Sequence, residues 1–146
     1  MSEHSVTHAT FTLERDYDAT PAAVFAAWAD PAVKVRWFAG GNSDHELDFR
    51  VGGREIARGN ANGATIEFET AYQEIVPDNR IVYTSAMRMG ETVTTISLTS
   101  VEFAATPSGT RLTLTEHGAY LDGHEQPSWR EHGTSDQLAA LAKELG

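Results

Sequence analysis

Polar side chains occupy apolar positions in several segments whose residues alternate in the manner of half-buried strands. Arg15 takes the apolar side of a segment that begins at Ala9, and Glu116 continues a row of alternate leucines. Tyr72 and Tyr83 occupy equivalent inward positions in two further segments. Apolar walls with a few placed polar atoms are typical of small-molecule pockets. If these faces point inward, the sequence predicts a mostly apolar interior that carries these four polar side chains, as such a pocket does.

Arg15 and Glu116 are the two charged residues predicted to face inward. Because a buried charge needs a partner, the favoured interpretation is a structural pair in which each residue neutralises the other. The alternative is that both residues contact a bound ligand. The two interpretations differ for Glu116→Gln, which lowers stability if the pair is structural and changes ligand binding otherwise.

Aromatic and methionine side chains supply the apolar part of the predicted cavity. The inward positions hold Phe49, Tyr72, Tyr83, Met87 and Met89. Such residues are also ordinary core material, so a filled interior with tyrosine hydroxyls at its rim is an equally weighted alternative.

The segment Asp48-Phe49-Arg50 precedes a glycine pair, Gly52-Gly53, which is expected to form a tight turn between two strands. Asp48 and Arg50 share one strand face, opposite Phe49. They are predicted to fix the turn or to pair with neighbours rather than to take part in catalysis.

The sequence lacks the motifs that are typical of a metal site, a cofactor site or an activated nucleophile. The chain has six histidines and no cysteine, and His117, His124 and His132 lack the spacing of a helical H-E-x-x-H motif. No G-x-S-x-G elbow occurs, and the glycine pairs lack the spacing of a phosphate loop. General acid–base catalysis by a histidine, glutamate or tyrosine in the cavity remains open. We expect no metal and no cofactor, and a non-enzymatic role is favoured without excluding an enzyme.

Composition limits the partners and the location of the protein. The 146 residues suit one domain, and 21 acidic against 11 basic residues give a net charge of −10. This charge disfavours nucleic acid and anionic membranes, which attract excess lysine and arginine. No run of about 20 apolar residues is available for a membrane span, and the first ten residues lack the features of a secretory signal. We expect a cytoplasmic protein without nucleic-acid or membrane partners.

Two short helices and one long helix are predicted to flank a strand-rich middle region. Thr20 can cap a first helix that ends near Pro31. A second helix is predicted over residues 32–38. The third, over about residues 126–145, carries leucines and alanines at spacings of three and four. Gly133 in its middle is expected to mark a bend or a close approach to another element.

The predicted strands are separated by short turns, which permit antiparallel pairing and no parallel crossover. The segments that favour strands are 9–17, 44–50, 54–59, 64–76, 80–89, 92–104 and 109–117. In the sixth of these, Ile96 and Leu98 share one parity while Val101 and Phe103 share the other. A β-bulge near Thr99-Ser100 is predicted to reconcile them.

Four strings in this order resemble the START/birch-pollen-allergen-like (SRPBCC) superfamily, and within it the bacterial proteins named for the activator of Hsp90 ATPase homologue 1. They are TPAAVFAAWADPAVKVRWF (20–38), DFRVGG (48–53), YQEIVPDNRIVYT (72–84) and GTRLTLTEHG (109–118). The resemblance implies a helix-grip fold, in which a bent antiparallel sheet of about six or seven strands wraps around a long C-terminal helix, with two short helices after the first strand. This α+β domain would occupy residues 9–146, behind a flexible N-terminal tail of residues 1–8.

The same resemblance implies a cavity between the sheet and the final helix. The Trp37-Phe38 stretch would lie near its mouth, where one ring gates the pocket or simply packs the short helix. Relatives carry Gly-Trp early in the final helix, where this chain has Gly133-Thr134, and Trp129 is the ring available to replace the missing one. Chaperone activation in the eukaryotic namesakes relies on an additional N-terminal domain, for which we expect no room in 146 residues. The superfamily also leaves a homodimer possible.

These observations favour a binding protein that holds a small apolar or aromatic molecule between sheet and helix. The residues predicted to contact it are Trp37, Phe49, Tyr72, Tyr83, Met87, Met89 and Trp129 as walls, with Glu116 and Arg15 as polar groups. The alternatives are a cavity enzyme of cyclase or hydrolase type that uses an internal acid or base, and a chaperone-associated interaction module. Two converging titratable groups in the cavity would favour the enzyme, and a filled interior would favour the module.

Overall fold

The computed structural model describes residues 4–41, 44–61 and 63–146, and these ranges contain seven strands and three helices. The strands are β1 (Val6–Tyr17), β2 (His45–Leu47), β3 (Arg54–Ala61), β4 (Ala64–Val76), β5 (Arg80–Met89), β6 (Thr92–Thr106) and β7 (Gly109–Leu121). The helices are α1 (Pro21–Ala29), α2 (Pro31–Phe38) and α3 (Pro127–Leu145). Residues 1–3 of the predicted tail lie outside the described residues.

All seven strands form one bent antiparallel sheet in the order β1-β7-β6-β5-β4-β3-β2. Strands β2 to β7 follow one another as a meander, because each is joined to the next by a short turn. β1 lies at the far edge, where all 12 of its residues pair with β7. The helices α1 and α2 connect β1 to β2, and α3 follows the last strand. This arrangement confirms the predicted α+β helix-grip fold.

Side-chain caps define the starts of the two short helices. Thr20 Oγ1 accepts a hydrogen bond from the backbone N–H of Ala23 at 3.2 Å, which confirms the predicted cap. Asp30 then caps α2, because its Oδ1 accepts from the backbone N–H of Ala32 at 3.0 Å. The second helix therefore begins at Pro31, one residue before the predicted start.

β1 and β7 are both longer than their local patterns predict. β1 begins at Val6 rather than at Ala9, and β7 continues to Leu121 rather than ending at His117. The two extensions pair with each other, with Val6 opposite Leu121. A strand end that depends on a partner more than one hundred residues away is not visible in the local sequence.

The bulge predicted near Thr99-Ser100 is wrong. The register between β5 and β6 shifts earlier, where Met87 lies opposite Thr95 and Arg88 lies opposite Val93. One extra residue of β6 is accommodated between these two pairs. From Thr95 to the end of its pairing with β5, the alternate residues of β6 that face inward stay in the same phase.

The inner face of β6 is therefore richer in hydroxyl groups than its hydrophobic pattern predicts. Ile96 and Leu98, which the sequence suggested as inward, are each 45% exposed on the outer face. The buried positions of the strand after the register shift are Thr95, Ser97, Thr99, Val101 and Phe103. The polar members of this row meet the charged side chains described below.

The C-terminal half of α3 is anchored in the core. Leu138 and Leu141 are fully buried, and the Tyr17 hydroxyl donates to the carbonyl of Leu138 at 2.9 Å. Gln137 Nε2 donates to the carbonyl of Phe38 at 2.9 Å, which joins α3 to the end of α2. These contacts fix the C-terminal half of α3. The N-terminal half of the helix lies across the inner face of the sheet.

Candidate functional site

A pocket of about 480 Å³ opens between the first half of α3, the end of α2 and the inner face of the sheet. Pockets that hold small molecules have volumes of about 300–1,000 Å³, so this volume suits one small ligand. Most of the wall is apolar or aromatic, with large side chains from three helices and three strands. These side chains are Trp28, Trp37, Phe38, Ile66, Phe68, Tyr83, Met87, Leu114, Trp129 and Leu138.

Two small residues of α3 leave space in the pocket. Gly133 and Thr134 both line it, and a Cβ added at Gly133 would meet no atom within 4 Å. The expectation that Gly133 marks a close approach to another element is therefore wrong. Thr134 Oγ1 donates back to the carbonyl of Arg130 at 3.0 Å, within its own helix. A larger side chain at Gly133 would therefore project into open space.

The polar end of the pocket centres on Arg130, near the start of α3. Its Nε donates to Glu116 Oε2 at 2.8 Å, and its Nη2 donates to Ser97 Oγ at 3.1 Å. Thr99 Oγ1 donates to the other carboxylate oxygen of Glu116 at 2.9 Å. Arg130 and Glu116 are only 7% and 4% exposed, so solvent screens their attraction weakly. The pair joins α3 to β7 and, through the two hydroxyls, to β6.

Glu125, just before α3, adds a second carboxylate at this end. Its Oε1 lies 3.6 Å from Arg130 Nη1 and accepts a hydrogen bond from the Thr95 hydroxyl. That nitrogen of Arg130 is buried and has no hydrogen-bond partner among the described residues. The ring of Phe68 lies 4.7 Å from the guanidinium carbon. Two carboxylates therefore converge on one guanidinium.

The predicted pair between Arg15 and Glu116 is wrong, because Glu116 is paired with Arg130. In the β1–β7 register Glu116 lies opposite Phe11, whereas Arg15 lies opposite Leu112. Four strand residues separate the two positions, or about 13 Å. Arg15 faces α3 as its parity predicts, but its Nη2 donates to Ser135 Oγ at 2.8 Å.

Five of the nine residues predicted to contact a ligand line the pocket. They are Trp37, Tyr83, Met87, Glu116 and Trp129. Arg15 and three others lie elsewhere. The ring of Phe49 packs edge-on against Phe25 and Tyr72, with centroids 5.6 and 5.1 Å away, and Met89 is exposed at the end of β5. Contact of any of the nine with a ligand stays a prediction.

A second buried cluster surrounds Lys34 of α2. Its Nζ donates to Glu55 Oε1 at 2.6 Å and to the Tyr72 hydroxyl at 3.2 Å. The Tyr72 hydroxyl in turn donates to the same Glu55 oxygen at 2.6 Å. His45 Nε2 lies 2.7 Å from the other oxygen of Glu55. Lys34 and Glu55 are each 1% exposed, so the cluster is closed to solvent.

The pKa values in this cluster follow from burial and from the donors around one carboxylate. Burial alone would raise the pKa of Glu55, but Lys34, His45 and Tyr72 outweigh it and lower that pKa to about 2. Burial lowers the pKa of Lys34, opposed by the Glu55 charge. Burial and the same charge raise the pKa of Tyr72. Because Glu55 stays ionised and its hydrogen bonds are internal, we interpret the cluster as a structural one.

Both clusters contain a cation whose role the sequence did not reveal. Lys34 lies three and four residues before Trp37 and Phe38, on the same face of α2. Arg130 lies eight residues before Leu138, on the apolar stripe of α3. A positively charged residue on the apolar face of a predicted helix therefore indicated a buried charge at Lys34 and at Arg130. The same kind of signal, on a strand, was used for Arg15.

The Asp48–Gly53 segment forms a turn, as predicted, and lies outside the pocket. Arg50 Nε donates to Asp48 Oδ2 at 2.9 Å, and both side chains are exposed. Gly52 has a φ of +84°, which favours glycine. A Cβ at Gly53 would lie 2.1 Å from the carbonyl oxygen of Asp48, so glycine is required there by the close backbone approach.

Two further observations bear on cofactors and membranes. Within residues 4–41, 44–61 and 63–146, no group of three or more histidine, aspartate or glutamate side chains is arranged to hold a metal ion. His117, one of the histidines whose spacing was considered for a metal site, is hydrogen-bonded through Nδ1 to the Thr10 hydroxyl at 2.8 Å. In the same described ranges, no helix has the length and apolar character needed to cross a membrane.

The bent sheet gripping α3 over a lined pocket defines a START-like protein of the helix-grip class. Residues 18–146 match the model of the family described as Activator of Hsp90 ATPase homolog 1-like protein. The chain belongs to this family, which is part of the SRPBCC superfamily. No curated protein matches the sequence.

Solved structures share the fold over nearly the whole chain. An uncharacterized protein from Rhizobium leguminosarum is 38% identical, with a TM-score of 0.94 over 99% of this chain and 98% of its own. Protein Mll3558 from Rhizobium loti is 44% identical, with a TM-score of 0.91 over 96% of this chain and 99% of its own. An AHSA1-like protein from Aeromonas hydrophila, 22% identical with a TM-score of 0.69 over 94% and 92% of the two chains, shows the fold alone.

Proposed function

We propose that the protein binds a small apolar or aromatic molecule in the pocket beneath α3. The observation that carries this proposal is a pocket of about 480 Å³ whose aromatic and aliphatic wall ends in a fixed polar group, the Arg130–Glu116 pair. Small-molecule sites combine these two properties. The predicted contacts that line this pocket are Trp37, Tyr83, Met87, Trp129 and Glu116.

The fixed geometry of the polar end supports the proposal. Ser97 and Thr99 each supply a hydroxyl to the Arg130–Glu116 pair, so the four side chains are held in place without a ligand. A site whose polar groups are already ordered loses less conformational entropy when a ligand binds. Trp129 is exposed at the rim, where its ring is available to cover a bound molecule.

A cavity enzyme is the second candidate, and the convergence of Glu116 and Glu125 on Arg130 favours it. Both oxygens of Glu116 accept internal hydrogen bonds, so this carboxylate is a fixed acceptor. Glu125, with a side chain 13% exposed, is better placed to exchange a proton with a substrate. Glu125→Gln should then abolish conversion of a bound compound while binding remains, whereas a binding protein converts nothing in either form.

A chaperone-associated interaction module receives less support. The family description refers to an activator of the Hsp90 ATPase, but an interaction module does not require an open interior. The pocket beside Gly133 and Thr134 is better explained by an occupant than by docking of a partner protein on the surface.

A homodimer and a cytoplasmic location stay predictions from the sequence. Sedimentation at several protein concentrations tests the first, because a dimer in equilibrium with monomer changes its apparent mass with concentration. Fractionation of the cells that produce the protein tests the second.

Titration with 2-naphthalenemethanol, a neutral two-ring probe, tests the proposed function. Amide ¹H–¹⁵N spectra should shift at pocket residues in the wild type and in His132→Phe, an exposed position of α3 outside the pocket. Gly133→Phe should lose these shifts, because the new ring enters the open space beside Gly133. Absence of binding to the wild type, or equal binding by Gly133→Phe, would overturn the proposal.

A further inference from the structure

We propose that the pocket selects an apolar or aromatic amine and holds its ammonium group against the carboxylate of Glu125. This inference rests on the proposed function and names the chemical class of the ligand. It follows from which polar atoms at the inner end are already used by the protein and which remain available.

Two of the three nitrogens of Arg130 donate hydrogen bonds inside the protein. Nε donates to Glu116 and Nη2 donates to Ser97. Nη1 has no hydrogen-bond partner among the described residues, but it is buried away from a ligand and lies 3.6 Å from Glu125. A ligand carboxylate would therefore find no accessible guanidinium edge with which to form the usual bidentate contact.

The carboxylate of Glu125 is the available polar group. Its side chain is 13% exposed, against 5% for Glu116. Its contact with Arg130, at 3.6 Å, is longer than a hydrogen bond, and an ionised carboxylate has about four lone-pair sites for donors. Glu125 can therefore accept from a ligand N–H while it keeps the hydrogen bond from Thr95.

The charge around the pocket also disfavours an anion. Glu116 and Glu125 oppose the single cation Arg130, so this cluster carries a formal charge of −1. The other lining cation, Arg58, lies within 3.0–3.3 Å of three carboxylates, those of Asp44, Glu46 and Glu67. Adding a cationic ligand moves the pocket towards neutrality, whereas a carboxylate adds to the excess of negative charge.

The walls suit the rest of such a ligand. Trp37, Phe38, Phe68 and Trp129 line the same pocket as Glu125. Aromatic faces attract a cation as well as an apolar ring. Phe68 already stacks beneath one cation of the protein, Arg130. An amine attached to a ring system would thus meet carboxylate and aromatic contacts together.

The inference is tested with three probes that share one naphthalene body. These are 2-naphthylmethylammonium, the neutral 2-naphthalenemethanol and the anion 2-naphthoate, titrated by amide ¹H–¹⁵N spectra at physiological ionic strength. We expect the ammonium probe to bind at least about tenfold more tightly than the carboxylate, with the alcohol between them. Shifts should map to the start of α3 and to Glu125.

Two variants with the same change in net charge identify the carboxylate responsible. Glu125→Gln removes the pocket charge, whereas Glu131→Gln removes an exposed charge of α3 that does not line the pocket. We expect Glu125→Gln to reduce the preference for the ammonium over the carboxylate to about twofold. Glu131→Gln should leave the preference unchanged.

The outcomes separate this inference from the proposed function. Tighter binding of 2-naphthoate than of the ammonium probe would overturn the amine assignment while ligand binding stands. An ammonium preference that Glu125→Gln and Glu131→Gln reduce equally would also overturn it, since the cause would be overall charge. Failure of all three probes to bind would overturn the proposed function itself.

Discussion

The Nε of Arg130 donates to Glu116 Oε2 across 2.8 Å, which ties the start of α3 to β7 at the polar end of the pocket. Both side chains are almost fully buried. Glu116 therefore depends on Arg130 for compensation of a charge that has lost its water, and Arg130 depends mainly on Glu116, with Glu125 at 3.6 Å as its second carboxylate. The same contact stabilises the fold and forms one wall of the proposed binding site.

Removing the charge of Glu116 should destabilise the protein strongly. Glu116→Gln leaves the buried Arg130 with only its longer, 3.6 Å contact to Glu125 as an ion pair, and breaking a buried pair lowers the free energy of unfolding by about 3–5 kcal/mol. Glu144→Gln is the matched control, because Glu144 pairs with Arg36, whose side chain is 52% exposed. Exposed pairs contribute about 0–1 kcal/mol. Urea unfolding measures both, and similar small losses would contradict a structural role for the buried pair.

The buried carboxylate of Glu55 should make stability depend on acid pH. Its pKa in the folded protein is about 2, against an ordinary value of 4.5. A lowered folded pKa contributes stability that is complete above about pH 4.5 and is lost as the pH falls towards 2. The free energy of unfolding should therefore decline over this interval.

A double variant isolates the contribution of Glu55. Lys34→Met combined with Glu55→Gln removes both charges of the cluster and so avoids leaving one unpaired. Its free energy of unfolding, measured in urea from neutral to acid pH, should decline less steeply than that of the wild type. Parallel declines in the two proteins would assign the acid sensitivity to other carboxylates.

All four tyrosines should resist ionisation in the folded protein. Burial raises the pKa of Tyr17 and of Tyr120 to about 12, and it raises the pKa of Tyr72 and Tyr83 as well. A raised folded pKa contributes stability that is present below about pH 10 and is lost as the pH rises through 12. Tyrosinate absorbance should stay flat near pH 10 and rise only with alkaline unfolding. A step near pH 10 in the folded protein would contradict the burial of these hydroxyls.

Gly133→Ala should stabilise the protein. Gly133 lies inside α3, and an added Cβ would meet no atom within 4 Å. Alanine within a helix is favoured over glycine by about 0.5–1 kcal/mol. Gly53→Ala is the contrasting control, because its Cβ would collide with the carbonyl of Asp48 at 2.1 Å. Thermal unfolding should separate the two variants in opposite directions, and a loss of stability in Gly133→Ala would contradict the open space beside it.

The fold was predictable because strand alternation, turn residues and the Thr20 cap are local signals. The register that brings strands together is not local, so the extensions at Val6 and Leu121 were missed. In β6 the hydrophobic pattern was misleading, since Ile96 and Leu98 face outward. The inward positions of that strand hold threonine and serine, whose hydroxyl groups form hydrogen bonds with charged side chains from other parts of the chain.

The polar end of the site was predictable only in part. Glu116 stood out because a charge occupied an inward strand position, but its partner could not be deduced from parity alone. Arg15 and Arg130 both lie on elements that pack inward, and only the register and the placement of α3 decide between them. Glu125 lies between β7 and α3, where no periodic pattern indicates which way a side chain points.

Gentle native mass spectrometry of the purified protein tests the central claim most directly. We expect the wild type and His132→Phe to carry the same additional small-molecule mass in repeated preparations. Gly133→Phe should lack that mass, because Gly133 lines the pocket of about 480 Å³ and a phenyl ring added there is expected to reduce the space for a ligand. An equal additional mass on Gly133→Phe, or repeated absence of any bound mass from the wild type, would contradict the proposal that this pocket holds a small molecule.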